Sequence, residues 1–145
     1  MKRLMILLAI CLCLPVAAFG EDKAPLTIAD FTLGENISKY AERVDMQSAQ
    51  PLWSAPYLSR VRIKPTKGYR GGYVVYSNCG SKGVIVRVKL KYDNRTMKFF
   101  RDISEASLER FGHAEEYRGN LEGTLLGNKW SFTAKNGDAI SLILQ

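Results

Sequence analysis

Between residues 84 and 92 apolar and cationic side chains take turns: Val84, Val86, Val88, Leu90 and Tyr92 fall on one parity, Arg87, Lys89 and Lys91 on the other. A period of two belongs to an extended strand, whose successive side chains leave on opposite faces. The run therefore predicts a sheet with one face on a core and the other in water. A second run, Tyr57 to Lys64, sets Ser59, Val61 and Ile63 against Arg60, Arg62 and Lys64 and stops at Pro65. Between them Tyr73 to Ser77 is short, aromatic and β-branched, with Gly71-Gly72 before it, and Ser77 to Gly83 reads as a hairpin loop.

The period changes to a helical one at two places. Ile37, Tyr40, Ala41 and Val44 recur at helical spacing behind a cap in Gly34-Glu35-Asn36, which predicts a short helix ending before Pro51. From Gln47 to Pro56 a connector is expected, with Trp53 as a plug over the core. Met97 to Phe111 predicts the second helix, with Met97, Phe100, Ile103, Ser107, Leu108 and Phe111 on its apolar stripe and Gly112 as its left-handed stop. After a loop or irregular strand from His113 to Gly123, the runs Lys129 to Thr133 and Ala139 to Leu144 flank Asn136-Gly137, the signal of a type I′ hairpin turn.

Helix, three strands, helix, then two or three strands predict an α+β fold, an antiparallel sheet with two helices packed on one face. Ile37-Ser38-Lys39 and Ile103-Ser104-Glu105 open comparable helices, each followed by strands, so two α-β-β-β halves are a candidate organisation. An extended Phe31-Thr32-Leu33-Gly34 leading into a Gly-led helix and a three-stranded meander resembles the small exported accessory proteins of outer-membrane assembly and the β-lactamase-inhibitor-like folds. That resemblance implies a topology and assigns no functional residue.

The first residues have the order of an export signal. Lys2 and Arg3 precede an apolar run from Leu4 to Leu14, Pro15 breaks it, and Ala18 and Gly20 fit the small positions before a cut ahead of Glu21. The apolar run is about half the length that spans a bilayer. Ile10 and Leu12 stand before Cys11 and Cys13 where a lipidation signal wants a small residue. The expected organisation is a cleavable signal peptide at 1–20, a loose tether at 21–25 and a single α+β domain at 26–145 with no transmembrane segment. The expected destination is the periplasm, with the extracellular medium second. Of three cysteines only Cys79 falls after the cut, so no disulfide staples the domain unless two copies join through that thiol.

The chain carries +7, and loss of Lys2 and Arg3 leaves +5. If the two alternating strands share a sheet, Arg60, Arg62, Lys64, Arg87, Lys89 and Lys91 share its wet face, and their mutual repulsion invites an anionic envelope component or an acidic protein. Nucleic acid fits poorly, because the chain is exported and stacking aromatics are not interleaved with these cations. The competing class is a small-molecule binder or thiol-dependent enzyme using Cys79 and His113, or a pocket near Trp53 and Trp130. Glu115 and Glu116 flank His113 without a second histidine or a suitably spaced cysteine, so neither a metal nor another cofactor is expected. Gly80-Ser81-Lys82-Gly83 leads into a strand rather than a helix and reads as a hairpin turn, not a nucleotide loop. Asn94-Arg95-Thr96 reads as a helix cap. The functional expectation is a non-catalytic binding or envelope-accessory protein that works through a basic sheet face.

Overall fold

The computed structural model describes residues 24–119 and 126–145. The expected signal segment 1–20, residues 21–23 of the tether and residues 120–123 of the loop expected after His113 lie outside the described residues.

The described chain opens with a hairpin of β1 (Thr27–Ile28) and β2 (Phe31–Thr32), which sets Phe31 into the core. Ile37–Tyr40 then form one 3-10 turn, capped by Asn36, whose Oδ1 accepts from the Ser38 amide at 3.0 Å. Here the expected first helix is overturned, since the chain extends into strand β3 (Val44–Leu52) instead of continuing to coil. Ile37, Tyr40 and Val44 are all buried, as a helical stripe would have them, but a turn and a strand deliver them. So short a helix recovers its nucleation cost from very few hydrogen bonds. Val44 gains a ladder partner in Ile63, and the Ile37 amide donates to the Gly83 carbonyl at 2.8 Å.

β3 pairs with β4 (Ala55–Ile63), β4 with β5 (Tyr69–Ser77) and β5 with β6 (Ile85–Tyr92), an antiparallel meander of four strands. Val61, Ile63, Val74 and Ile85 meet Phe31, Ile37, Tyr40 and Val44 in one apolar cluster, with Val88 and Leu90 packed against it. The cover over this face is therefore the β1–β2 hairpin and the 3-10 turn. Trp53, expected to plug the core, stands fully exposed at the two-residue turn between Leu52 and Ala55.

Helix α1 (Met97–Phe111) has the expected bounds, cap and stop: Thr96 Oγ1 accepts from the Phe99 amide at 3.2 Å, and Gly112, at φ +83°, ends it by donating to Leu108. Its expected apolar stripe is covered only in part, since Met97 and Leu108 are exposed and Ser104 is its buried residue. It packs on a second sheet, β7 (Glu115–Arg118), β8 (Leu126–Thr133) and β9 (Ala139–Leu144), through Phe111 against Trp130 and Phe132. The Trp130 indole donates to the Gly112 carbonyl at 3.0 Å. An edge contact of Phe99 on Tyr92, 5.2 Å between centroids, links α1 to the four-stranded sheet.

Among the described residues the fold is thus mostly β, with three antiparallel sheets and one α-helix. This corrects both the expectation of two helices packed on one sheet face and the two matching α-β-β-β halves. The C-terminal hairpin forms where expected with a different turn. Gly137 alone takes positive φ, +87°, and its amide donates to Ala134, the pattern of a type I turn closed by a left-handed glycine.

Candidate functional site

The register of the meander decides which side chains share the outer face. Arg60 pairs with Val75 and Val75 with Arg87; Arg62 pairs with Tyr73 and Tyr73 with Lys89; Gly71 pairs with Lys91. Arg60 and Arg62 on β4 and Arg87, Lys89 and Lys91 on β6 therefore form two lines on either side of β5. The lines lie about 10 Å apart, and their members are about 7 Å apart along each strand. Lys64 shares the parity but is drawn away, because its amide pairs with Arg43 and its ammonium donates to the Glu42 carbonyl at 3.0 Å. Five of the six predicted cations are thus brought together.

The inward parity of β6 needs correction. One extra residue, Val86, stands between Ile85 and Arg87, the partners of Tyr76 and Val75, so Ile85 enters the core while Val86 is 48% exposed. The bulge precedes Arg87, so the phase of Arg87, Lys89 and Lys91 is kept.

Residues 44–92 hold nine Lys or Arg and one carboxylate, Asp45. Asp45 is taken by Arg62 at 2.9 Å, and Arg60 lies over the Tyr73 ring, 5.7 Å from its centroid. Among the described residues no carboxylate pairs with Arg87, Lys89 or Lys91. Like charges at such spacing repel by about 0.6 kcal/mol each in water before screening, so the line is held in place by the ladder against its own field.

What borders this face was not legible from residue patterning. On β3 the register jumps from Asp45–Arg62 to Gln50–Arg60, so Met46 to Ala49 bulge opposite the single residue Val61. Ser48 makes this possible, since its hydroxyl donates to the Asp45 carbonyl at 2.6 Å and accepts from the Arg62 amide at 2.9 Å. A hollow of about 540 Å³ results, with Gln47, Ser48 and Gln50 on one side and Arg60, Tyr73 and Lys91 on the other. Amides and a hydroxyl beside guanidinium and ammonium groups suit a ligand carrying both acid and neutral polar oxygens. The residue string Met46-Gln47-Ser48-Ala49-Gln50 lacks β-branched side chains, which is why it resembled a connector rather than a strand.

The other candidate residues stand apart. Cys79 is exposed in the β5–β6 loop with its thiol 3.9 Å from the Tyr57 carbonyl, and His113, exposed after α1, makes no hydrogen bond or ion pair among the described residues. Within the Gly80–Gly83 loop the Lys82 amide donates to Gly80 and the Gly83 amide to Ser77, so neither is turned outward for an anion. Trp53 is fully exposed while Trp130 is buried behind Phe111, and the two do not share a pocket. Glu115 and Glu116 pair with Lys129 and Arg118, and no group of three metal-ligating side chains occurs among the described residues. No helix among them is long and apolar enough to cross a membrane. Neither a protein-family model, nor a curated protein, nor a solved structure matches the chain.

Proposed function

We propose that this is an exported, periplasmic, non-catalytic binding protein of the envelope-accessory kind, and that the outer face of the four-stranded sheet is where it holds an anionic envelope component. The observation that carries the reading is the line Arg87, Lys89, Lys91: three cations without carboxylate partners among the described residues, across β5 from Arg60 and beside a hollow lined by hydrogen-bonding side chains. An anion placed between the lines relieves the repulsion within each and meets guanidinium groups suited to oxyanions. The export reading rests on the order of residues 1–20.

The test compares two variants of equal net charge, one with Arg87, Lys89 and Lys91 changed to Gln and one with Arg95, Arg101 and Arg110 changed to Gln. Binding to phosphatidylglycerol vesicles, lipopolysaccharide and a polyuronate is measured at low and moderate salt. The expected result is that the sheet variant loses a probe that the second variant keeps, and that salt releases it from the wild type. Equal loss in both variants for every probe would reduce the effect to net charge and sink the reading.

A further inference from the structure

Among the described residues Trp53 is the large apolar side chain left wholly in water, at 100% exposure. It stands with Ser54 at the tip of the β3–β4 hairpin, inside a stretch from Met46 to Ser59 that has no charged residue. Tyr57, 60% exposed, follows on β4, and Val86, 48% exposed, lies on β6 at the same end of the sheet. The register puts them there together, since Leu58 faces Ser77 and Tyr76 faces Ile85. The β5–β6 loop, carrying the exposed Lys82, is tied to the same end by the Asn78 amide on the Tyr57 carbonyl at 3.0 Å and the Asn78 side chain on Pro56 at 2.8 Å. The nearest cations of the outer face are Arg60 and Arg87.

An indole in water forfeits the burial that makes tryptophan favourable in a protein, so its position points to an environment met on binding. We propose that this end of the sheet is an interfacial anchor for an anionic lipid bilayer: Trp53 and Tyr57 enter the headgroup region, and Arg60, Arg87 and Lys82 meet lipid phosphates. The inference rests on the basic face being the working surface and names its anion. A bilayer fits better than a protein partner because the indole projects from a turn. A protein would have to offer a pocket cut to that ring, whereas the membrane interface accepts tryptophan and tyrosine wherever they arrive. The charge agrees, because no Asp or Glu occurs from residue 46 to residue 92 to repel an anionic leaflet.

The chain has two tryptophans, and Trp130 is 3% exposed, so a change in indole emission on binding reports Trp53. The full domain is mixed with phosphatidylcholine vesicles and with vesicles containing phosphatidylglycerol. The latter should shift emission to the blue and allow quenching by brominated lipid. Trp53→Ala should abolish both signals, lower vesicle affinity by about tenfold or more and leave the melting midpoint unchanged. If Trp53→Ala binds anionic vesicles like the wild type and wild-type emission does not move, the anchor is overturned, while loss in the Arg87, Lys89, Lys91 variant would still uphold the basic face. If that variant binds normally and Trp53→Ala does not, the basic face fails and the anchor as proposed is overturned with it, since Arg87 then meets no lipid phosphate. Retention on polyuronate with no vesicle binding would also overturn the anchor, and would make a polysaccharide the partner.

Discussion

Gly72→Ala should be among the most damaging small substitutions in the sheet. A Cβ at this position would lie 2.0 Å from the Lys89 carbonyl oxygen and 3.1 Å from the Leu90 Cα, both backbone atoms of the neighbouring strand. The contact cannot be relieved by turning a side chain, so β5 and β6 must part around the Gly72–Leu90 pair. Overpacking of this kind costs about 1–3 kcal/mol, and a ladder hydrogen bond lost with it about 1 more. We expect about 3 kcal/mol. Gly68→Ala is the control: Gly68 has φ +86° and nothing within 4 Å of the added carbon, so it meets only backbone strain, about 1 kcal/mol. Urea unfolding followed by circular dichroism resolves the difference, since 2 kcal/mol moves the midpoint by about 1 M at the slopes usual for small domains. If Gly72→Ala unfolds at the same midpoint as Gly68→Ala or above it, close strand approach is not what excludes a side chain there.

Two other outcomes are expected. Ser48→Ala strips the Asp45 carbonyl and the Arg62 amide of their shared partner, and should cost about 1–2 kcal/mol in the same unfolding assay. It should also weaken anion binding without changing any charge, and undiminished binding would show that the β3 bulge is not part of the site. Glu35 is held below its ordinary pKa of 4.5, first by the hydrogen bond from Lys39 and then by the Tyr40 hydroxyl. A carboxyl depressed in the folded state adds stability that is fully present above its unfolded value and is lost as pH falls through its folded one. Melting midpoints of the wild type and Glu35→Gln should therefore differ most above pH 4.5 and converge below it; parallel curves would refute the linkage.

What the sequence made legible was whatever is settled locally. Helix α1 was readable in its bounds because its cap and its stop lie within seventeen residues, Thr96 to Gly112, whereas its stripe was misplaced in part, with Met97 and Leu108 exposed and Ser104 buried. The cations were readable because parity within one strand fixes a face, and the bulge at Val86 falls before Arg87 and leaves their phase intact. The bulge itself was not, since Ile85 and Val86 are both β-branched and apolar, and either could turn inward. The first helix was misread for a related reason. Ile37, Tyr40 and Val44 satisfy a helical stripe and also a turn followed by a strand, and the choice is made by Gly83 and Ile63, far along the chain. Nor could four residues of β3 be seen to bulge opposite Val61, because the arrangement depends on one hydroxyl reaching the Arg62 amide across strands.

The hairpin of β3 and β4 joins the tip to the basic face. Gln50 pairs with Arg60 and Pro51 with Ser59; Pro56 to Leu58 then bulge on β4 before Leu52 meets Ala55 beside Trp53, and the Asn78 side chain spans that bulge by donating to the Pro56 carbonyl and to Ser59 Oγ. Aromatic tip and cationic line therefore approach a surface as one body, and engagement of either raises the local concentration of the other. Each alone is a weak signal, the cations because salt screens them within about 8–10 Å, the indole because one ring buries little area. Stable attachment to a membrane surface generally takes two such signals. The β3 bulge fits this division, because it interrupts the ladder between Arg60 and Arg62, on the far side of Arg60 from the tip. The hollow thus opens on the side of Arg60 away from the Leu52–Ala55 pair that carries Trp53.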